Sequence, residues 1–484
     1  MRIRPLLGIV GSVLLIFGAA FAAPLAWALL TGEPTVWAFS ASLALTTGCG
    51  AILRLQWRRP AELRARDGFL VTSLIYVSLG FVGAIPFWLA PGMLPTFADA
   101  AFESFSGITT TGASVLAGLD EQFRSILLYR SLLQWIGGMG IIVLAVAVLP
   151  MLGVGGMQLY RTETPGSVKD KKLTPRITQT AQALWYIYLG ITVLCAGAYF
   201  LAGMSWFDAM CHAFTTVAIG GFSTHDASIG HFDSAAVEWV AIGFMILSGI
   251  NFSLHFTVWN RRDPRAYARD SEVRFYLCFL SLMAILVFGR VWFAGIEPGT
   301  WLLALRETLF QSVSFATTTG FATTDYEKWP SVVPALLLIT AFVGGCAGST
   351  AGGIKVYRIQ LILRQGVREV NRLVHPHGVF PIKLGPQPVS ARVIDAVWGF
   401  FAAYVAVFAL LFYLFLLVSG MDFKTSLSAV AACLNNLGPG LGDVAEGYAS
   451  LSAPSKLLLV CAMTLGRLEI FTVLVLFTAR YWRP

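Results

Sequence analysis

Charged residues are scarce in this chain. Asp, Glu, Lys and Arg make up 12% of its 484 residues, whereas hydrophobic residues make up 56% and the mean hydropathy is +0.71. A soluble domain carries roughly 25% charged residues. Long apolar runs recur from end to end, too uniformly apolar for the roughly 10-residue alternating strands of a membrane barrel. The composition therefore predicts an all-α polytopic membrane protein.

Patterns that would indicate a metal framework or an enzyme are also missing. The seven cysteines form no CxxC pair and mostly lie in apolar runs, so we expect small buried side chains and no disulfides. The six histidines are scattered, with no HExxH motif and no Cys/His cluster. No nucleophile and base are grouped. We therefore expect no enzymatic activity and no cofactor bound by this chain.

Ten apolar segments are long enough to cross a bilayer. They comprise residues 6–31, 36–55, 69–91, 125–150, 182–203, 235–258, 273–295, 331–363, 392–419 and 453–478. The first follows a basic start and resembles a cleaved signal peptide, but its length favours a retained span.

The charged residues that are present predict the topology. Basic clusters flank the spans at Arg2/Arg4, Arg54 to Arg66, Arg161 to Arg176, Arg261 to Arg274, Lys355 to Arg392 and Arg480/Arg483. The positive-inside rule places these clusters and both termini in the cytoplasm, and it explains them without a nucleic-acid partner. The outward connections carry acidic residues that would attract cations. These are Asp120, Glu121, Asp226, Asp233, Asp325, Glu327, Asp443 and Glu446.

A semi-polar stretch between spans occurs four times. The copies are DAAFESFSGITTTGAS from Asp99, DAMCHAFTTVAIGGFS from Asp208, ETLFQSVSFATTTGFA from Glu307 and TSLSAVAACLNNLGPG from Thr425. They align without gaps, and the first residue of each stands thirteen positions before a glycine and is predicted to cap a helix. Successive glycines are separated by 109, 99 and 118 residues. This period predicts four units of span, half-helix, glycine loop and span.

The half-helices are too short to cross the membrane, since twelve residues rise about 18 Å. Their partially negative C-terminal ends would point into the bilayer. Non-helical backbone at that depth is tolerated only where it is buried or lines water, so four such loops around one axis would present carbonyl rings to a dehydrated cation. Uncharged carbonyls suit a large monovalent cation better than Mg²⁺ or Ca²⁺. A lone TTTG would instead indicate a helix C-cap with left-handed glycine.

Six motifs together resemble a known family. TTTGAS, AIGGFSTHD, TTTGFATTD, NNLGPGLGD, IGGMGIIVLAVAVLP and GGCAGSTAGGIKVYR are similar to signatures of the TrkH/TrkG-type bacterial potassium transporters, within the Trk/Ktr/HKT superfamily. The similarity covers the whole chain. It implies four helix–pore-helix–loop–helix repeats around a pseudo-fourfold pore, plus two extra N-terminal helices. The implied K⁺ filter comprises Thr110, Thr111, Gly112, Ile219, Gly220, Gly221, Thr318, Thr319, Gly320, Asn436, Leu437 and Gly438.

This division gives five segments: two N-terminal spans in 1–67, then repeats in 68–176, 177–268, 269–385 and 386–484. The fourth loop departs most, with Asn-Leu in place of Thr-Thr and no acidic residue at the start of its copy. Some HKT relatives that favour Na⁺ have serine in the first loop, so Gly112 favours K⁺.

GGCAGSTAGG, residues 344–353, interrupts the span 331–363 with small residues, so a continuous helix is not expected there. Close helix packing is one interpretation. The resemblance implies instead a gating loop beneath the filter, with Gly344, Gly345, Gly348, Gly352 and Gly353. GSTAGGIK departs from the phosphate-loop pattern, which excludes ATP binding at that site.

Arg467 lies near the middle of the last predicted span, where an ionisable residue indicates function. We expect it to face the pore as an electrostatic barrier, a role that the family resemblance also implies. The alternative is a structural ion pair with a carboxylate of another helix. Lys355 could hold the loop closed or bind lipid headgroups.

The resemblance implies K⁺ uptake across the bacterial cytoplasmic (inner) membrane. It also implies a homodimer and a peripheral TrkA-type subunit that binds nucleotides in the cytoplasm. The alternative function is a Na⁺- or H⁺-coupled secondary symporter.

Overall fold

The fold is helical throughout the part of the chain that the structure describes. A computed structural model describes residues 3–55, 65–143, 173–295, 300–385 and 387–483. Within these ranges the only strands are Lys383–Leu384 and Gln387–Pro388, which pair as an antiparallel hairpin. The all-α prediction is confirmed. Part of the basic cluster at 161–176 and the second half of the IGGMGIIVLAVAVLP motif lie outside the described residues.

The α-helices group into the N-terminal pair and four repeats. The N-terminal pair of spans contains three α-helices, Ile3–Gly18 and Ala22–Thr31 in the first span and Val36–Leu55 in the second. The first repeat has Ala65–Gly83, Ile85–Leu89, Phe97–Ile108 and Arg124–Val143. The second has Leu173–Leu201, Trp206–Val217, Ala235–Ser248, Phe252–Arg261 and Arg265–Arg269. The third has Ser271–Phe293, Trp301–Thr317, Val332–Val343 and Val356–Val374. The fourth has Ala391–Ser419, Phe423–Leu434, Ala453–Arg467, Ile470–Leu474 and Ala479–Trp482.

Seven described helices are long and apolar enough to span a membrane, or nine if two bent pairs each count as one. Two of the predicted spans consist of bent helix pairs. The predicted span 235–258 bends by 93° after Ser248, and 453–478 bends by 110° after Arg467. The span 331–363 is interrupted as expected, because the helix Val332–Val343 ends at the glycine loop. Of the span 125–150, residues 144–150 lie outside the described part of the chain.

The N-terminal pair packs on the first repeat. Its side chains Leu14, Phe17 and Phe21 belong to the hydrophobic core that contains Phe102 and Phe105 of the helix Phe97–Ile108. The loop between the two spans is tied down as well, because the Glu33 carboxylate accepts hydrogen bonds from the backbone N–H and the hydroxyl of Ser125. These contacts support the interpretation of the first apolar segment as a retained helix.

Four pore helices precede the predicted filter loops: Phe97–Ile108, Trp206–Val217, Trp301–Thr317 and Phe423–Leu434. The residues predicted to cap them are not the N-caps. In the first, second and fourth pore helices the caps lie three residues earlier, whereas the third starts earlier and has 17 residues instead of 12. Each cap side chain accepts a backbone N–H bond at the helix start. The observed N-caps are Thr96, Ser205, Thr300 and Asp422.

Cysteine burial differs from the prediction for three residues. Cys195, Cys211, Cys346 and Cys433 are buried, but Cys49, Cys278 and Cys461 are exposed on the protein surface. All seven are free thiols. The exposed three lie on spanning helices, where an apolar run presents one face to lipid and cannot by itself show which face is buried.

Glycines let the helix after each of two pore helices approach the pore-helix end. A Cβ built on Gly137 would lie 2.1 Å from the carbonyl oxygen of Ile108, and one on Gly466 would lie 2.0 Å from that of Leu434. Ile108 and Leu434 are the last residues of the first and fourth pore helices. A larger residue at either glycine would push the pore helix out of place.

We therefore expect Gly466→Ala to destabilise the protein by about 1–3 kcal/mol, the usual cost of overpacking a closely packed site. Thermal unfolding of the detergent-solubilised protein measures this change. Gly243→Ala is the matched control, because Gly243 lies in the helix Ala235–Ser248 with no atom within 4 Å of an added Cβ. Equal unfolding midpoints for the two variants would contradict this account of the packing.

Candidate functional site

The four pore helices end in the same way. At each end, one backbone N–H bonds to the carbonyl five residues earlier, as for Thr111 with Ser106 at 2.8 Å and Thr319 with Ser314 at 2.8 Å. This is the 6→1 bond of a Schellman cap. The residue before that donor adopts a left-handed conformation. These residues are Thr110 at φ 50°, Ile219 at 53°, Thr318 at 65° and Asn436 at 55°.

The helix-cap interpretation is therefore correct for the hydrogen bonds but wrong about the glycine. The left-handed position belongs to a threonine, isoleucine or asparagine, and the glycine follows two residues later. A β-branched residue at positive φ is an outlier, and such strain concentrates at functional sites. The four loops share this left-handed geometry although the fourth differs most in sequence, and in the fourth loop Asn436 adopts it with less strain.

The twelve predicted filter residues form one ring. A Cβ added to any of the four glycines would collide with the middle carbonyl oxygen of the next loop, and the fourth loop meets the first. These distances are 2.2 Å from Gly112 to Gly220, 2.0 Å from Gly221 to Thr319, 2.1 Å from Gly320 to Leu437 and 2.7 Å from Gly438 to Thr111. All four glycines have positive φ, between 79° and 97°. Both the close approach and the conformation require glycine.

Two polar side-chain atoms at the base of the ring have no hydrogen-bond partner. They are Oγ1 of Thr110 and Oδ1 of Asn436, both on residues only 1% exposed. Buried oxygens without partners are costly unless a ligand or water satisfies them. Oxygen atoms are the ligands that alkali and alkaline-earth cations prefer. At the same position, the third loop has the hydroxyl of Thr318, whereas the second loop has Ile219 and no side-chain oxygen.

The spaces on the two sides of the ring differ in size. On the side of the acidic loops lies an open vestibule of about 770 Å³, lined by residues that include Asp226, Asp325, Glu327 and Glu446. On the other side the cavity measures about 20 Å³ and is lined by the glycine loop, Lys355 and Arg467. That volume holds about one water molecule. The ring is thus open to one side and covered on the other.

The glycine loop, residues 344–353, contacts the base of the ring. The N–H of Gly352 donates to Oγ1 of Thr318 at 2.7 Å, and the N–H of Gly353 donates to the carbonyl of Asn435 at 3.1 Å. The hydroxyl of Thr350 donates to the carbonyl of Val217 at 2.9 Å. The loop thereby reaches the ends of the second, third and fourth pore helices.

The loop backbone is tightly bent. Gly344, Gly348, Gly353 and Lys355 all have positive φ, whereas Gly345 and Gly352 do not. A Cβ on Gly352 would lie 1.9 Å from the carbonyl oxygen of Asn435. Small residues are thus required for close approach to the pore helices, and simple helix–helix packing does not explain the segment.

Arg467 is buried beneath the ring and bonded to carbonyl oxygens. Its guanidinium donates to Thr350 at 2.9 Å and to Gly137 at 3.3 Å, and its Nε has no hydrogen-bond partner. Among the described residues it forms no ion pair with a carboxylate, so the structural ion-pair alternative is not supported. Glu469 instead pairs with Arg358 at 2.5 Å. Lys355 donates to the Ala351 carbonyl, which favours a role in holding the loop over binding lipid.

Residues 37–483 match the family model for TrkH, described as a cation transport protein. The chain belongs to the TrkH family. It is 52% identical over 489 residues to the Trk system potassium uptake protein TrkH of Halomonas elongata and 47% identical over 484 residues to that of Escherichia coli K12. Each alignment covers 100% of this chain and 100% of the relative. The crystal structure of the potassium transporter TrkH from Vibrio parahaemolyticus matches with a TM-score of 0.93 and 46% identity, covering 100% of both chains.

TrkH-family membership and the apolar helices make this a multi-pass membrane protein. The fold is the one expected: four tandem repeats around a pseudo-fourfold axis, plus two N-terminal helices. The sequence-based family assignment is confirmed.

Buried polar residues that none of the sequence motifs indicates also support the backbone of the ring. The Nε of Arg130 donates to Glu103 at 2.8 Å, while its other nitrogens reach the Ser223 carbonyl at 3.1 Å and the Ser114 hydroxyl at 3.1 Å. The Arg130 guanidinium also lies 4.2 Å from the ring centre of Phe222. This cluster joins the first and second loops just beyond their glycines.

Gln134 is a second supporting residue that none of the sequence motifs indicates. Its side-chain N–H donates to the Gly220 carbonyl at 2.7 Å, and its oxygen accepts the Phe222 N–H at 3.1 Å. Tyr448 similarly donates to the carbonyl of Gly438 at 2.8 Å. A helical Arg and Gln four residues apart share one face, which is the sequence signal that could have drawn attention to them.

We expect Glu103→Gln to destabilise the fold by about 3–5 kcal/mol, because it leaves Arg130 buried and unpaired. Glu103 is 0% exposed and Arg130 is 1% exposed. Thermal unfolding checks this, with Glu121→Gln at an exposed site as the control. A Glu103→Gln variant as stable as that control would show that the pair contributes nothing.

Proposed function

We propose that this chain conducts K⁺ into the cell along its electrochemical gradient, through the ring of four filter loops. The observation that carries the proposal is the closed ring, in which each glycine approaches the next loop's carbonyl. Uncharged backbone oxygens can replace the hydration shell of a monovalent cation. The relatives from Halomonas elongata and Escherichia coli are named potassium uptake proteins. K⁺ is then the transported ion and not a resident cofactor.

A Na⁺- or H⁺-coupled symporter is the alternative function, and it would need carboxylates at a midplane site. The filter residues and the glycine loop contain no Asp or Glu. Three buried carboxylates elsewhere in the described chain are occupied by basic partners, at 2.7–2.8 Å. These pairs are Glu103 with Arg130, Glu238 with Arg306 and Asp99 with Lys456. This favours the channel-like mechanism.

Uptake of ⁸⁶Rb⁺ into liposomes containing the purified chain tests the proposal. We expect uptake that K⁺ competes and Na⁺ does not, without any requirement for a proton gradient. In Gly112→Ser the new side chain meets the Gly220 carbonyl, so we expect discrimination between K⁺ and Na⁺ to fall by roughly tenfold or more, or about 1.4 kcal/mol.

Gly420→Ser is the matched control for that experiment. Gly420 also has a positive φ, of 66°, but no atom lies within 4 Å of an added Cβ. It therefore tests the strain of serine in this conformation without the carbonyl contact. Uptake that requires a proton gradient and is equally selective in both variants would favour the coupled symporter.

We further propose that the glycine loop and Arg467 form the gate. The loop leaves only about 20 Å³ beneath the ring, and Arg467 places a positive charge there. An ion moving inward would meet both. Opening would require the Arg467 bonds to Thr350 and Gly137 to break, so these bonds stabilise the closed arrangement.

Replacing Arg467 tests the barrier separately from the fold. We expect Arg467→Met, which removes the charge, to raise ⁸⁶Rb⁺ uptake by the purified chain several-fold. Arg467→Lys keeps the charge and should stay close to the wild-type rate. Gel filtration of both variants checks folding. Uptake by Arg467→Met no faster than that of wild type would contradict the barrier role.

We also propose how the gate is regulated and in which membrane the chain lies, using the topology that the basic clusters predict. The helix Val356–Val374 follows the glycine loop and exposes Val367, Val370 and Leu373 beside basic residues. We propose that the chain lies in the bacterial inner membrane with its basic clusters and both termini on the cytoplasmic side. A peripheral TrkA-type nucleotide-binding subunit in the cytoplasm would then reach this helix. A subunit bound there would act on the loop through the chain. We also propose that the chain forms a homodimer.

A further inference from the structure

Three side chains of types that can bind metal ions lie together at the vestibule, and we call this place the outer mouth. Asp120 follows the first filter loop, and His225 and His231 follow the second. One ligand atom from each lies within 4.8 Å of the other two. The Nδ1 atoms of His225 and His231 lie 2.5 Å and 3.8 Å from the same oxygen of Asp120. Neither the ring nor the gate uses these residues.

The two imidazoles are stacked face to face. Their ring centres lie 3.5 Å apart with 4° between the ring planes, and both Nδ1 atoms face the Asp120 carboxylate. Two ligands of a tetrahedral ion at 2.0–2.1 Å lie about 3.3 Å apart. A small rotation of His231, whose side chain is 44% exposed, would direct its lone pair toward a shared ion.

A further carboxylate lies close to the second ring nitrogen of His225. Its Nε2 lies 3.4 Å from Asp208, which itself accepts hydrogen bonds from Ser205 at 2.6 Å and Thr224 at 2.7 Å. Metal-bound histidines usually donate their second ring N–H to a carboxylate, and Asp208 is the carboxylate nearest to this nitrogen. Without an ion, Nδ1 of His225 forms a hydrogen bond with Asp120, and a bound ion would replace the proton in that contact.

We propose that Asp120, His225 and His231 bind a divalent transition-metal ion such as Zn²⁺ at the outer mouth. Two imidazoles and one carboxylate are ligands typical of zinc, and a water molecule would complete four coordination. The ion would cross-link the loops that follow the first and second filter loops. The binding of the ion does not depend on the proposed K⁺ function.

Bound Zn²⁺ has a consequence for transport, and this part rests on the proposed function. His225 lines the vestibule beside acidic residues such as Asp226. A doubly charged ion there would offset the negative charge that attracts cations. It would also hold two of the four mouth loops together. Zn²⁺ should therefore slow K⁺ uptake from the outer side.

Isothermal titration calorimetry with Zn²⁺ tests the site directly, on the full-length purified protein at slightly alkaline pH. We expect one site per chain, weakened at least tenfold in His231→Ala and in Asp120→Asn. His377→Ala is the matched control, because His377 is an exposed histidine far along the chain in the segment after the helix Val356–Val374. Zn²⁺ affinity that is the same in His231→Ala as in the control would overturn the site.

A second measurement compares ⁸⁶Rb⁺ uptake with external Zn²⁺ and with a chelator. Wild type and His377→Ala should be slowed by Zn²⁺, whereas His231→Ala should not, with equal uptake by all three under chelator. Inhibition that persists in His231→Ala would overturn the transport consequence. If no variant takes up Rb⁺, the proposed function fails, but calorimetry still decides whether the metal site exists.

Discussion

The structure depends on one contact repeated four times, the approach of a glycine in each loop of the ring to a carbonyl of the next loop. At 2.0–2.7 Å from an imagined Cβ, these carbonyls leave no space for a methyl group. The contact sets the spacing of the loops, and the pore helices must end where the loops begin. The packing at Gly137 and Gly466 and the polar residues behind the loops all serve that position.

The ring is held under strain by its surroundings. Left-handed threonine and isoleucine cost free energy, and they persist only when neighbouring contacts determine their conformation. Arg130 provides such contacts in the first and second loops, and Gln134 provides one in the second. In the fourth loop Tyr448 holds the carbonyl of Gly438. These three loops therefore reach a similar backbone geometry through different side chains, as expected when the repeats are encoded separately in one chain.

Much of this fold could be predicted from the sequence because the repeats share a local signal. A glycine at a fixed position in each aligned copy indicates four loops, even where Asn436 and Leu437 replace threonines. The acidic residues Asp99 and Asp208 do not mark the helix starts, because the caps Thr96 and Ser205 lie three residues before them. The pattern Thr or Ser followed three residues later by Asp, a capping box with Asp in place of Glu or Gln, was available as the better signal.

Other features could not be predicted from local patterns. The bend before Ile470 falls at Leu468 and Glu469, residues that do not usually break helices, so the sequence does not indicate it. The bend before Phe252 is different, because it follows Gly249 and the N-cap Asn251. Arg130 and Glu103 are 27 positions apart, so only the fold brings them together. The same holds for Arg467, whose carbonyl partners come from the first and third repeats.

Because one chain encodes four different repeats, the ring is not symmetric. At the base of the ring, three repeats have a polar side chain, Thr110, Thr318 or Asn436, whereas the second repeat has the hydrocarbon side chain of Ile219. Thr318 is further distinguished because its hydroxyl accepts a bond from the glycine loop. If the ring conducts ions as we propose, an ion at this level would rest off the central axis, on the side of the first and fourth repeats. A single chain with four repeats can therefore change the side chains at this level one repeat at a time, which a tetramer of identical subunits cannot do.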